Sequence, residues 1–258
     1  MFFTLNWTSW KKWMAILAIV LFSFISYRFA ATYIFDYATQ AEPSEGQFMG
    51  EGAITKSLKE EKEISLTFNV PWGDDVIVDV IEVLDEKQVK ATFFVNGQWA
   101  LRNEDLAEWI IDENHEVGLL GFSDESYENQ SLDYIKEDLE KGETVLKNLE
   151  YEPLRYVRVP ENKYSETVTE QIYKLGYRTV FWSVFANIDQ EKSATAISNQ
   201  INSGIGSGDI IVMPIRDDLT KAPEVIRHLI EQKEQDGYEF VTITELLSPA
   251  QMEIEPIN

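Results

Sequence analysis

Apolar and small polar residues alternate along Ile64-Ser65-Leu66-Thr67-Phe68-Asn69-Val70, with Ile64, Leu66, Phe68 and Val70 as the apolar set. A period of two predicts a strand, and Thr67 suits one. Pro71-Trp72-Gly73-Asp74-Asp75 follows as a turn. Beyond it Val76, Val80, Ile81 and Leu84 recur at helical spacing. The chain then keeps switching between the two periods. Strands are expected at residues 91–95, 116–120, 155–158, 177–184, 209–213 and 238–243. Between them, Asn103 can cap a helix with Leu106, Trp109 and Ile110 on one face. Ser131 caps a long helix carrying Ile135, Leu139, Leu146 and Leu149. Ser165 caps the next, with Ile172 and Leu175 inward and Gly176 just past its end. Helices are also expected over 194–201 and 222–235, with a terminal turn at 244–247. Seven strands separated mostly by helices imply parallel strands covered on both sides, as an open sheet or a barrel. In both, chemistry sits where strands end, so residues 69–75 mark the expected functional face.

The N-terminal pattern is different. Residues 1–12 end in Lys11-Lys12, and an unbroken apolar, serine and aromatic run follows from Trp13 to Tyr27, resuming after Arg28 up to Phe35. About 20 apolar residues span a bilayer, so residues 13–35 are expected to form a transmembrane anchor, with Arg28 reaching toward the headgroups. The basic pair precedes the run and an acidic flank follows it, which places 1–12 in the cytoplasm and the chain beyond about residue 36 outside. A cleaved signal peptide is the alternative, but no Ala-x-Ala site follows the run closely. Residues 36–60, rich in Gly, Ser, Pro, Glu and Lys, read as a linker or stalk. Residues 61–247 read as one domain, and 248–258 as a tail.

Charge narrows the function classes. Lys11, Lys12 and Arg28 are the only charges in residues 1–35, which leaves 19 basic against 45 acidic residues, net −26, for the remainder. Such a surface repels nucleic acid and anionic lipid headgroups; its plainest role is a solvated coat. The 258-residue chain has no cysteine, which excludes disulfides, thiolate nucleophiles and cysteine metal sites. Gly204-Ile205-Gly206-Ser207-Gly208 precedes a strand instead of opening a helix, so it reads as a tight turn and not a phosphate loop.

Thr67-Phe68-Asn69-Val70 resembles the Thr-Phe-Asp-Asp signature of NodB-like polysaccharide deacetylases, carbohydrate esterase family 4. Pro71-Trp72-Gly73 resembles the Ser-Trp-Gly of that family's sporulation-associated branch, and Val89-Lys90-Ala91-Thr92-Phe93-Phe94-Val95 resembles its second strand. The resemblance covers about residues 60–247 and implies an α/β fold, a distorted (β/α)7 barrel, here preceded by one transmembrane helix. It also implies a divalent metal, commonly zinc, held by one Asp and two His to activate water. A second Asp acts as base, a late-strand His as acid, and an Arg steadies the base. Carried onto this sequence, the base position is Asn69, whose carboxamide has no basic lone pair. The metal-Asp position is Val70. Glu116-Val117-Gly118-Leu119-Leu120-Gly121-Phe122-Ser123-Asp124 resembles the run with both metal histidines, at Leu120 and Asp124. Arg158-Val159-Pro160 resembles an Arg-Pro-Pro motif and keeps its arginine; Trp182 matches a tryptophan near the site; Pro214 stands at the acid position. Of the two histidines in the chain, His115 matches a structural Gly-His-Glu position and His228 falls mid-helix.

Other assignments stay open on sequence. Asp74, Asp75 and Asp124 can gather as an oxygen-only cation site, or Asp74 and Asp75 can cap the following helix. Arg158, with no Asp to hold, can pair with Asp124 or with a ligand acid. Trp72 and Trp182 can stack on sugar rings or simply pack. The expectation is a membrane-anchored, extracytoplasmic polysaccharide deacetylase-like protein that no longer hydrolyses and takes no cofactor. Cell-wall glycan is its expected partner, with Trp72, Arg158 and Trp182 as candidate contacts. The alternatives are an active metal-dependent de-N-acetylase with a rearranged site, and a protein-interaction scaffold.

Overall fold

A computed structural model describes residues 52–152, 155–163 and 165–248. The expected cytoplasmic tail, the anchor at 13–35, most of the linker and nearly all of the C-terminal tail lie outside the described residues. No helix among those described is long and apolar enough to cross a membrane.

The sheet is built around β1 (Glu63–Val70), which pairs in parallel with β2 (Thr92–Val95) on one side and β7 (Ile210–Pro214) on the other. Outward from β2 lie β3 (Glu116–Leu119), β4 (Tyr156–Val157) and β5 (Arg178–Thr179), and outward from β7 lies β6 (Val184–Phe185). β8 (Glu239–Phe240) pairs with the first two residues of β1. The crossovers are helical: α1 (Val76–Lys87), α2 (Gly97–Arg102) with α3 (Glu104–Asp112), α4 (Leu132–Asn148), α5 (Glu166–Lys174), α6 (Ala194–Asn202) and α7 (Ala222–Gln235), then α8 (Ile243–Leu247) at the end. The result is an α/β half-barrel of parallel strands.

Both faces of β1 are buried. Ile64, Leu66, Phe68 and Val70 are wholly enclosed, and so are the small polar residues Ser65 and Thr67. The alternation therefore separates two buried surfaces and not core from solvent. Thr67 and Asn69 share one face, where Phe94 lies level with Asn69; Phe68 stacks on Phe93 on the other, ring centroids 4.9 Å apart. Burying the four large side chains Ile64, Leu66, Phe68 and Val70 is worth about 1.5–3 kcal/mol each, which makes β1 the axis of the core.

Most caps fall where the sequence puts them. Ser131 and Ser165 accept from Tyr134 N and Val168 N, and Gly176 follows α5 with φ +83°. The differences have local causes. Asn103 accepts no cap hydrogen bond; its amide donates to Trp99 O, the end of the short α2 that the periodicity did not reveal. Asn96 opens that helix by accepting from Trp99 N. The expected strand over 177–184 breaks into β5 and β6, because the carbonyls of Val180 and Phe181 turn to the Arg158 guanidinium instead of a neighbouring strand. β5 and β6 thus end the sheet without pairing to each other. Residues 54–57, expected within the linker, run beside this seam. Ile54 bridges Val180, Ser57 N donates to Gly208 O, and Lys56 pairs with Asp209 at 2.7 Å.

Candidate functional site

Parallel register brings the residues singled out by the resemblance to one end of the sheet. Asn69 pairs with Pro214 at the C-terminal ends of β1 and β7, and Ile215 N donates to Asn69 O. Val70 pairs with Val95, whose carbonyl accepts from Leu120 N. Arg158 N donates to Leu119 O at the end of β3. Asn69, Val70, Leu120, Arg158 and Pro214 therefore lie near one another at the C-terminal end of the sheet.

Arg158 organises that group. It is fully buried, with its guanidinium 4.1 Å from the Phe94 ring centroid and 5.3 Å from that of Trp182. Nε donates to Val180 O, one terminal nitrogen to Phe181 O, and the other to Thr67 Oγ1 at 3.1 Å and Asn69 Oδ1 at 2.9 Å. None of these acceptors is a carboxylate. Burial pushes the guanidinium well below its ordinary pKa, as expected for a cation enclosed without a counter-charge. Arg158 therefore does not pair with Asp124, the partner that sequence left open.

Asn69 is committed at both ends of its carboxamide: Oδ1 to Arg158, and Nδ2 to Asn162 Oδ1 at 3.2 Å. Val70 is wholly buried and Leu120 is 3% exposed, and neither has a ligand atom. Asp124 is exposed; desolvation first, and Glu161 second, raise its carboxyl pKa. One exposed carboxylate beside two aliphatic side chains does not make the donor set of a catalytic zinc. The residues present do not fit the metal that the resemblance implies.

The candidate glycan contacts separate by exposure. Trp182 is 5% exposed, packed against Phe181 and Phe185, so it is a wall and not a stacking platform. Arg158 presents no surface at all. Trp72 is 45% exposed at the rim, with Arg216 beside its ring at 5.9 Å.

Three polar residues in this region gave no sequence signal. Asp217, in the loop after β7, accepts from Asp74 N, Asp75 N and Val76 N, so it caps α1 from across the cleft. Asp75 stands at the cap position and makes no side-chain cap bond. The carboxylates that gather are thus Asp74, Asp75 and Asp217, not Asp124, and Asp217 already spends both its oxygens on backbone N–H groups. Asp138, buried on α4, accepts from Phe122 N, Ser123 N, Ser123 Oγ and Tyr127 Oη, which fixes the loop that carries Asp124. Asn162 is the third, through its bond to Asn69. Both histidines lie away from that end of the sheet. His115 is buried, accepting from Ala91 N and packed on Phe93, while His228 lies near Glu224 and Thr195 on the surface.

A sequence model of the family described as Polysaccharide deacetylase matches residues 56–180. YlxY of Bacillus subtilis (strain 168), an uncharacterized protein, is 27% identical over 201 residues, which is 77% of this chain and 61% of YlxY. The match thus spans about three fifths of that relative's length. Peptidoglycan-N-acetylmuramic acid deacetylase PdaA of the same organism is 29% identical over 200 residues, 75% of this chain and 74% of PdaA. Among solved structures, BA3943 of Bacillus anthracis, a CE4 family pseudoenzyme, superposes with a TM-score of 0.71 at 25% identity, covering 78% of this chain and 70% of that one.

Proposed function

The chain belongs to the polysaccharide deacetylase family, the NodB-like carbohydrate esterases of family 4, and from that premise we propose that it is a member that binds glycan without hydrolysing it. The observation that carries this reading is the Arg158–Asn69 contact. The arginine that would steady a carboxylate base holds a carboxamide, which takes no proton near neutral pH. The apolar Val70 and Leu120 and the proline at 214 extend the same reading: base, metal ligands and acid are all replaced. Each missing proton-transfer group costs roughly 10²–10⁴ in rate. The sporulation-like Pro71-Trp72-Gly73 turn and the similarity to PdaA favour peptidoglycan as the glycan, with Trp72 as the rim contact.

The protein is membrane-anchored through residues 13–35, with its domain outside the cytoplasm, next to the wall. The test is retention on purified cell-wall glycan together with acetate release. Binding without acetate is expected. Metal-dependent acetate release would select the active-enzyme alternative, and neither property would select the scaffold.

A further inference from the structure

A guanidinium carries N–H donors and no acceptor, so the Asn69 atom that faces Arg158 at 2.9 Å is its oxygen. The same arginine nitrogen donates to Thr67 Oγ1, whose own proton goes to Ile211 O at 2.8 Å. Every donor in this chain therefore has one direction. Asn69 Nδ2 is left pointing away from Arg158, as a donor only. The acceptor in front of it is Asn162 Oδ1, at 3.2 Å.

Asn162 closes the 3-10 turn Pro160–Asn162, which leaves the same strand end that carries Arg158. Val159 and Pro160 are buried and hold the base of the turn. Its tip is held in an uncommon backbone: Glu161 has φ +55° and Asn162 φ +56°. Asparagine enters this left-handed region readily, but glutamate does not. The Glu161–Lys163 ion pair at 2.9 Å and the Asn69–Asn162 bond both fasten the tip in that conformation.

We infer that the turn is a latch: Asn162 supplies from within the chain the acceptor that a ligand oxygen would supply, and the cleft opens to a glycan only when that carboxamide is displaced. The displacing group is an oxygen acceptor, on a sugar the acetamido carbonyl or a hydroxyl, because residue 69 offers an N–H. This rests on the glycan-binding reading above. Affinity is then reduced by the fraction of molecules in which the latch is closed.

Two substitutions at Asn162 test it in opposite directions, on the full-length protein in detergent solution, with fully N-acetylated chitotetraose as the probe. Asn162→Ala removes the occupant and should raise affinity severalfold. Asn162→Asp keeps a residue that tolerates φ above zero and offers a stronger acceptor; it should lower affinity severalfold. A residue needed only to shape the turn would not move affinity both ways, and equal losses in both variants would overturn the latch. A second measurement needs no ligand: the Asn69 side-chain NH2 protons, followed by NMR. Their hydrogen-bonded proton should move upfield in Asn162→Ala and downfield in Asn162→Asp. Unmoved signals would overturn the latch. Signals that move as stated, with no sugar bound by any of the three proteins, would uphold the occupant and overturn the glycan reading instead.

Discussion

Arg158 is a buried cation whose named acceptors are all neutral. Isolated burial of a charge is costly, so the cleft holds a place where a carboxylate would be welcome. Asn69→Asp should therefore stabilise the protein, by about 1–3 kcal/mol at pH 7, through a charge-assisted hydrogen bond. The urea midpoint should rise; a lower midpoint would mean that the Arg158 charge is already compensated. His115 gives a prediction with the opposite dependence on burial. Desolvation, aided by Lys90, lowers its pKa to about 4, while the unfolded chain binds that proton near 6.5. The neutral form is the folded one, so its stability contribution is complete above about pH 6.5 and declines as pH falls toward 4, by up to about 3 kcal/mol. Neighbouring Glu116 is raised by burial and contributes in the opposite sense, so the informative quantity is a difference between proteins. Urea unfolding of His115→Gln should lose less stability between pH 7 and 4.5 than the parent does; identical losses would contradict the assignment. Asn69, Val70 and Leu120 can be proposed from the sequence because each sits inside a short local motif. Asp217 and Asn162 cannot, since their partners lie 141 to 143 and 93 residues away, and a lone polar residue in a loop carries no period.

Periodicity located the longer elements because amphipathic spacing repeats over several turns. α7 occupies the stretch expected from it, and α1 begins at Val76 where the period changes. Elements of two residues have no period to detect, so the sequence predicts one strand where β5 and β6 stand, and the six-residue α2 leaves no signal. The segment around Ile54 to Ser57 looked like linker for a related reason: its role is set by the seam it lies beside, not by its composition. That seating can be tested at Gly208, which has φ +76° and where a Cβ would stand 2.1 Å from Ser57 O. Gly208→Ala must expel the segment or distort the turn and should cost roughly 2–4 kcal/mol. Ser57→Ala, which removes the hydroxyl bond to Leu246 O, should cost only about 1 kcal/mol. A Gly208→Ala protein of native stability would show that the segment does not rest on the 204–208 turn.

At the scale of the whole chain, an apolar N-terminal run, an acidic remainder and a sheet end where Arg158 holds Asn69 have to be explained together. With Lys11-Lys12 on the cytoplasmic side, a reporter fused after Asn258 should be active only outside the cytoplasm; cytoplasmic activity would overturn the anchored topology. An outward-facing deacetylase-like domain would meet wall glycan first, and the strongly negative surface would favour neutral sugars over anionic polymers. The claim that joins these observations is that the cleft binds without hydrolysing. Its most direct test is acetate release from N-acetylated chito-oligosaccharides and peptidoglycan fragments by the full-length protein, with zinc added or chelated. No acetate above the background of heat-denatured protein is expected in either condition, whereas zinc-dependent release that chelation abolishes would contradict the account.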